Sequence, residues 1–416
     1  MVKAGVLYYT LFLMLISVII ISLVMMRYSL HQQAFTNKIK LDELDLNLKS
    51  AFLVYKQDPG IFSISDSLDL DLYKDSLAMV RLTREDWGIF DIVTASAGWK
   101  NLFLSRSGLF GEVTDSKDPA LYVADHGITV SLSGNSLIRG NSFVPGGVFR
   151  TASVEGQSFR NKNTSDGEVN RSESGLPEPD PMLDSTLAAI YNGDVIGIHL
   201  SEINRKNSLS IENPFSNPSA VYYSHIDAIL SGLSLRGRIM IYAAGTVFID
   251  RTTGLEDVII VARRIIVDDG FTGSFQGFAI DSIGIGDNVS MNYPSVLAVS
   301  PAADGDATSS DTHITLGSNT ILKGCILLKG HKEKCRMVIP ESTSVTGQVY
   351  CSGTVQMEGR VYGSLFCDGF SFRRDNSTYI NHLLNSDIDI KMLPDGFAGF
   401  QAGKEKSVRT LIQWLD

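Results

Sequence analysis

The chain is predicted to be mainly β, a β-solenoid with an N-terminal transmembrane helix and a small membrane-proximal sheet, and three observations predict it. The first is the stretch 347–370, GQVYCSGTVQMEGRVYGSLFCDGF, with glycines at 347, 353, 359, 363 and 369. Between them apolar residues take every second position, as in Val349 and Cys351, Val355 and Met357, Leu365 and Cys367. That period marks a strand with one buried face, and glycine at its ends marks corners where φ turns positive or another backbone comes close. The second observation is repetition. The phrase G-x-φ-φ-C-x-G occurs at Gly347–Gly353 and Gly363–Gly369, and GCILLKG at Gly324–Gly330 repeats it with Leu328 in place of the cysteine. Far upstream, GNSLIR at Gly134 runs directly into GNSFVP at Gly140, with GQSFRN at Gly156. Short self-similar strands with tight corners suit a solenoid, whose coils bury their inner faces only against one another. The third is an uncharged run, Gly5–Met26, long enough to cross a bilayer as one helix.

Taken in order, the chain begins with that run. A cleaved signal would have a shorter apolar core ending in a small-x-small site, whereas Met25, Met26 and Arg27 follow here, so the run reads as a retained anchor whose partner is the lipid bilayer. The helix should continue past the membrane to about residue 57. No glycine or proline interrupts His31–Lys56, and Leu41, Leu44, Leu48, Phe52 and Tyr55 form one stripe at helical spacing that should pack on the chain's own β body. Asp58-Pro59-Gly60 stops it. From 58 to 120, short β-rich segments with turns at Ala97-Gly98 and Ser107-Gly108 predict a β meander cored by Trp87 and Trp99. The solenoid should occupy 121–373 in chain order, interrupted by a polar, Pro-rich insertion at 160–184 and a polar loop at 301–313. Residues 374–416, with short helices at Tyr379–Leu384 and Val408–Leu415, should cap the open end of the coil.

Composition narrows the function. A net charge of −10, a pI near 5.2 and no basic stripe exclude a nucleic-acid partner. Motifs for nucleotide binding, serine hydrolysis and zinc proteolysis are absent from the chain, and no cofactor is implied. Three sets of residues are candidates for chemistry. Cys325, His331 and Cys335 lack a fourth zinc ligand at standard spacing. Asp304, Asp306 and Asp311 lack the glycine and closing glutamate of a calcium loop. Asp268, Asp269 and Asp281, on adjacent coils, form the one carboxylate set that fits a glycan-cleaving β-helix enzyme, and the plainer reading is solvated corners. No catalytic, cofactor or metal residue is therefore assigned. Strand parity turns Cys351 and Cys367 inward, in the same slot of repeats sixteen residues apart. It turns Cys325 outward, towards Cys335, and in an exported body those two could pair.

Two family resemblances rest on these residues. The hexads at Thr343–Phe372, and less fully at Gly134–Phe159, resemble the bactofilin-type, polymer-forming β-helix, which implies a right-handed, single-stranded solenoid with a structural role. The left-handed acyltransferase hexapeptide fits less well, since Arg139 and Pro145 stand where it wants an aliphatic residue before glycine. Lys3-Ala4-Gly5 ahead of a long apolar helix resembles the start of a type IV pilin or pseudopilin, although Thr10 replaces that family's early glutamate. The expectation is a non-enzymatic, single-pass protein of the inner membrane. It would hold the solenoid on the extracytoplasmic side as a scaffold for protein partners in an envelope assembly. A pilin-like minor subunit of a secretion or pilus filament and a glycan-active enzyme are the alternatives.

Overall fold

A computed structural model describes residues 4–62, 67–72, 79–115, 117–179, 198–200, 210–301, 311–374, 377–400, 402 and 408–415. The chain divides into two compact units, one of residues 1–55, 60–84 and 94–106, the other of 56–59, 85–93 and 107–416.

In the first unit one helix, α1 (Ala4–Gln57), runs unbroken for 54 residues. An 18-residue window in it reaches a mean hydropathy of 2.6 with none of it buried, which meets the length and polarity a bilayer requires. Further along, the predicted stripe folds inward. Leu44, Leu48, Ala51, Phe52 and Tyr55 are buried, and Tyr55 meets Phe62 edge-on with ring centroids 5.6 Å apart. Leu41 is 37% exposed and stands outside that stripe. Asp45, held below the usual carboxylate range chiefly by its hydrogen bond to Lys49, also pairs with Arg106 at 3.0 Å. Trp99 is half-buried, with the Lys100 ammonium 4.5 Å from its ring centre, so it does not anchor a sheet core. Trp87 belongs to the second unit. It is buried there, edge-on to Phe215 at 5.4 Å.

The second unit contains a β-solenoid of about 11 turns. Its strands are parallel and in register, so one inner column can be followed through it. Ile241 pairs with Ile260, then Gly277, Leu297, Ile326, Val349 and Leu365 in succession. Cys351 pairs with Cys367, which makes a coil sixteen residues long at that point, as the repeats predict.

The stack does not end at Leu365. That residue pairs with Leu121, Leu121 with Ser142, and Ser142 with Val169. The coils are therefore not in chain order. The upstream hexads, at Leu137–Arg139 and Ser142–Val144, follow the downstream hexads in the stack through one joining coil, lying on Asp387–Asp389 and Leu121–Val123, and at the opposite end Ile198–His199 lies on Tyr222–Tyr223. The coil joining the two sets is assembled from two parts of the chain: Leu121–Val123 and Asp387–Asp389 both lie against Arg360–Arg374. Polar groups seal the joint. Arg139 Nη1 lies 3.2 Å from Asp387 and 3.0 Å from Asp389, and buried Asn381 accepts from Phe370 N while donating to Ile128 O.

This order corrects three expectations. The described residues of 374–416 do not form a helical cap. Tyr379–Leu384 lies in two strands, Ser377–Ile380 and His382–Leu384, the latter stacked on Ser131–Ser133. Val408–Leu415 contains the strand Arg409–Trp414, antiparallel to Leu102–Val113, since an open sheet edge supplies backbone partners that local helix propensity cannot match. Within the polar stretch 160–184, Ser165–Asp166 and Val169–Arg171 pair as an end coil. A coil stacked on one side only needs fewer apolar residues, and from that stretch Val169 packs on the inner core and Leu176 on the outer apolar cluster. Residues 180–184 lie outside the described set.

Candidate functional site

Because side chains alternate along each strand and the coils stack in register, outward-facing residues also form columns. One runs Ile229, Phe248, Ile266, Gly284, Thr315 and Val338. Beside it run Arg264, Ser282, His313, Arg336 and Thr354. At one end the surface is apolar, with Ile229 68%, Phe248 38% and Ile266 43% exposed. Gly284 has no side chain, so the wall dips there, and two grooves share it. One, of about 570 Å³, joins the apolar residues to Asp250, Asp268 and Asp269. The other, of about 590 Å³, holds Arg263, Arg264, Asp281, Asp311 and His313. A third, of about 410 Å³, continues past His313 to Glu333, Lys334, Arg336 and Arg373.

The three candidate carboxylates are thus divided between grooves. Asp281 is engaged by Arg263 at 2.7 Å, which raises the affinity of that guanidinium for its proton. Asp269 is a corner group that accepts the Asp287 N–H of the next coil at 2.7 Å. Asp281 and Asp269 thus have structural tasks, and isosteric replacement should be mild. Asp281→Asn and Asp269→Asn, which keep an acceptor oxygen, are expected to leave the thermal midpoint within about 2 °C of the parent. A larger fall in differential scanning fluorimetry would show that these groups hold the wall together.

Cys325, His331 and Cys335 are not brought together. His331 is exposed, Cys335 faces into the solenoid core, and Cys325 leaves the opposite face of its strand. Among the described residues no group of three His, Cys, Asp or Glu side chains could hold a metal. Asp304 and Asp306 lie outside those residues, and Asp311 is exposed. The expected Cys325–Cys335 pairing is overturned as well. Parity places Cys325 outward as predicted, but it is fully buried in a cluster with Tyr350, Phe397 and Phe400, and that burial pushes its thiol up to about 12. Cys351 and Cys367 point inward as predicted.

Sequence reading missed two half-buried carboxyls. Burial raises Asp257, which accepts from Gln413 at 3.0 Å, and raises Asp387 at the joint. Their surroundings come from residues more than a hundred positions away, and no local pattern marks them.

No protein-family model and no curated protein matches the chain. Among solved structures, the competence-associated pilin ComZ from Thermus thermophilus aligns over 84% of this chain and 87% of its own, with 12% identity and a TM-score of 0.19. That likeness is too slight to carry an argument about fold or function.

Proposed function

We propose that the protein is a single-pass membrane protein of the cell envelope, which displays its solenoid as a non-enzymatic scaffold for protein partners. The observation that carries this reading is the unburied apolar half of α1 in the same chain as a fully packed β-solenoid. A soluble protein would pay heavily to expose such a helix, whereas a bilayer covers it. In this reading Gly5–Met26 crosses the inner membrane and the solenoid stands on the extracytoplasmic side. The wall offers apolar and charged columns suited to an elongated partner, and its Asp281 and Asp269 are tied to neighbouring coils.

The full-length protein is expected to stay in the membrane pellet through high-salt and carbonate washes. Recovery in the supernatant, with a mature N-terminus beyond Met26, would overturn the anchor.

A pilin-like filament subunit is the second reading, favoured by one feature of α1. Beyond the apolar run, Ile39, Leu46 and Leu53 recur every seven residues and are 43%, 58% and 58% exposed, opposite the buried stripe. A helix apolar on two faces suits packing against further helices. Mass spectrometry of the mature N-terminus distinguishes the readings: cleavage after Gly5 supports the filament subunit, and an intact Met1 supports the standing anchor.

A further inference from the structure

Sulfur recurs along the solenoid's inner wall. Cys335, Cys351 and Cys367 are spaced sixteen residues apart, and each is at most 1% exposed. Cys335 opens the strand Cys335–Ile339, and its Sγ lies 4.0 Å from Cys351 Sγ on the following coil. Hydroxyl donors converge on the Cys335 sulfur. Ser352 Oγ lies 3.4 Å from it, its one proton shared with the Gly330 carbonyl at 2.9 Å. Thr312, its register partner on the preceding coil, buries a hydroxyl that makes no other hydrogen bond among the described residues. Such donors serve a thiolate better than a thiol. Cys335 also belongs to the lining of the groove of about 410 Å³, beside Lys334, Arg336 and Arg373, so only a thin layer separates it from solvent although it is 1% exposed.

We propose that Cys335 and Cys351 are a cross-coil dithiol that closes to a disulfide by exchange with a solution disulfide such as oxidised glutathione, fastening two successive coils to each other. The Cys335 thiolate attacks one sulfur of the incoming disulfide, forming a mixed disulfide and expelling one small thiolate, which takes up a proton. Cys351 then gives up its proton, and its sulfur attacks the Cys335 sulfur, expelling the second small thiol. Two protein thiols are oxidised to one disulfide, and one solution disulfide is reduced to two thiols. The order of attack follows from the surroundings. Hydrogen bonds, from Cys351 first, then Ser352, Thr312 and the Gly353 N–H, lower the Cys335 thiol, while burial raises that of Cys351. Cys325 is excluded because it leaves the other face of the wall.

The test uses reduced full-length protein in detergent, exposed to oxidised glutathione at neutral pH, quenched by alkylation and mapped without reduction. The thiol count should fall from four to two, with a single link joining Cys335 to Cys351. Under guanidinium the same chain should yield scrambled pairs. Cys335→Ser and Cys351→Ser should each keep three thiols free of any internal link, whereas Cys325→Ser and Cys367→Ser should fall from three to one. A native link that includes Cys325 or Cys367 would overturn the proposal, as would four thiols surviving prolonged exposure. Both outcomes are read on the unsubstituted chain, so the result does not depend on every variant folding.

Discussion

Val355→Asp is expected to unravel two stretches of chain that lie about two hundred residues apart in sequence. Val355 is fully buried, paired with Met337 on one side and Phe370 on the other. A carboxylate there has no cation to meet, and an unpaired buried charge costs about 4 kcal/mol or more, a large share of a typical domain's stability. In a stack held by nearest-neighbour contacts the damage spreads to adjacent coils. Those neighbours include residues 121–171, because Leu121–Val123 lies directly on Arg360–Arg374. Hydrogen exchange on the detergent-solubilised protein should therefore lose protection at 344–392 and at 121–171 together, while 239–299 stays protected. Val355→Thr, which leaves only an unpaired hydroxyl, should cost about 1–3 kcal/mol and spare the pattern. Protection retained at 121–171 in the Asp variant would mean that the coils stack in chain order, and the closure described above would be wrong.

That closure is also where reading the sequence stopped short. Alternation and glycine spacing marked the strands, their facing and the sixteen-residue coil, because these depend on residues close in sequence and on the two-residue period. Cys351 and Cys367 are in register for that reason. The helix was legible to its last turn, since Asp58-Pro59-Gly60 cannot continue it and α1 ends at Gln57. Rod order is a different kind of fact. The likeness of GNSLIR and GNSFVP to the later hexads was visible, but likeness does not say that Leu137–Arg139 stacks on Asp387–Asp389. Parity had a matching blind spot. It placed Cys325 on the outer face without showing that Phe397 and Phe400 return to cover it. Cys335 carries no such mark, since Leu328 holds the slot shared by Cys351 and Cys367, and Cys335 opens a different strand.

Gly347→Ala, the replacement of one hydrogen by one methyl group, is expected to destabilise the solenoid about as severely as a buried charge. Gly324, Gly347 and Gly363 are register partners on three successive coils, with φ of +147°, +144° and +151°. An L side chain rarely adopts that conformation, and the strain alone costs about 1–3 kcal/mol. The space is closed as well. A Cβ on Gly347 would overlap the carbonyl oxygen of Gly324 and lie 2.6 Å from the Phe397 ring. The backbone oxygen belongs to the neighbouring coil and cannot rotate away, so the coils must separate or the corner must refold. Summed, the two effects should exceed about 3 kcal/mol. Gly284→Ala is the control, since its Cβ would meet nothing within 4 Å and it faces the outer grooves, so it should be nearly neutral. Protease resistance and thermal unfolding of the two variants, side by side, decide the matter. Comparable stability in both would show that the glycine column is a compositional habit of the repeats and that the corners tolerate a side chain.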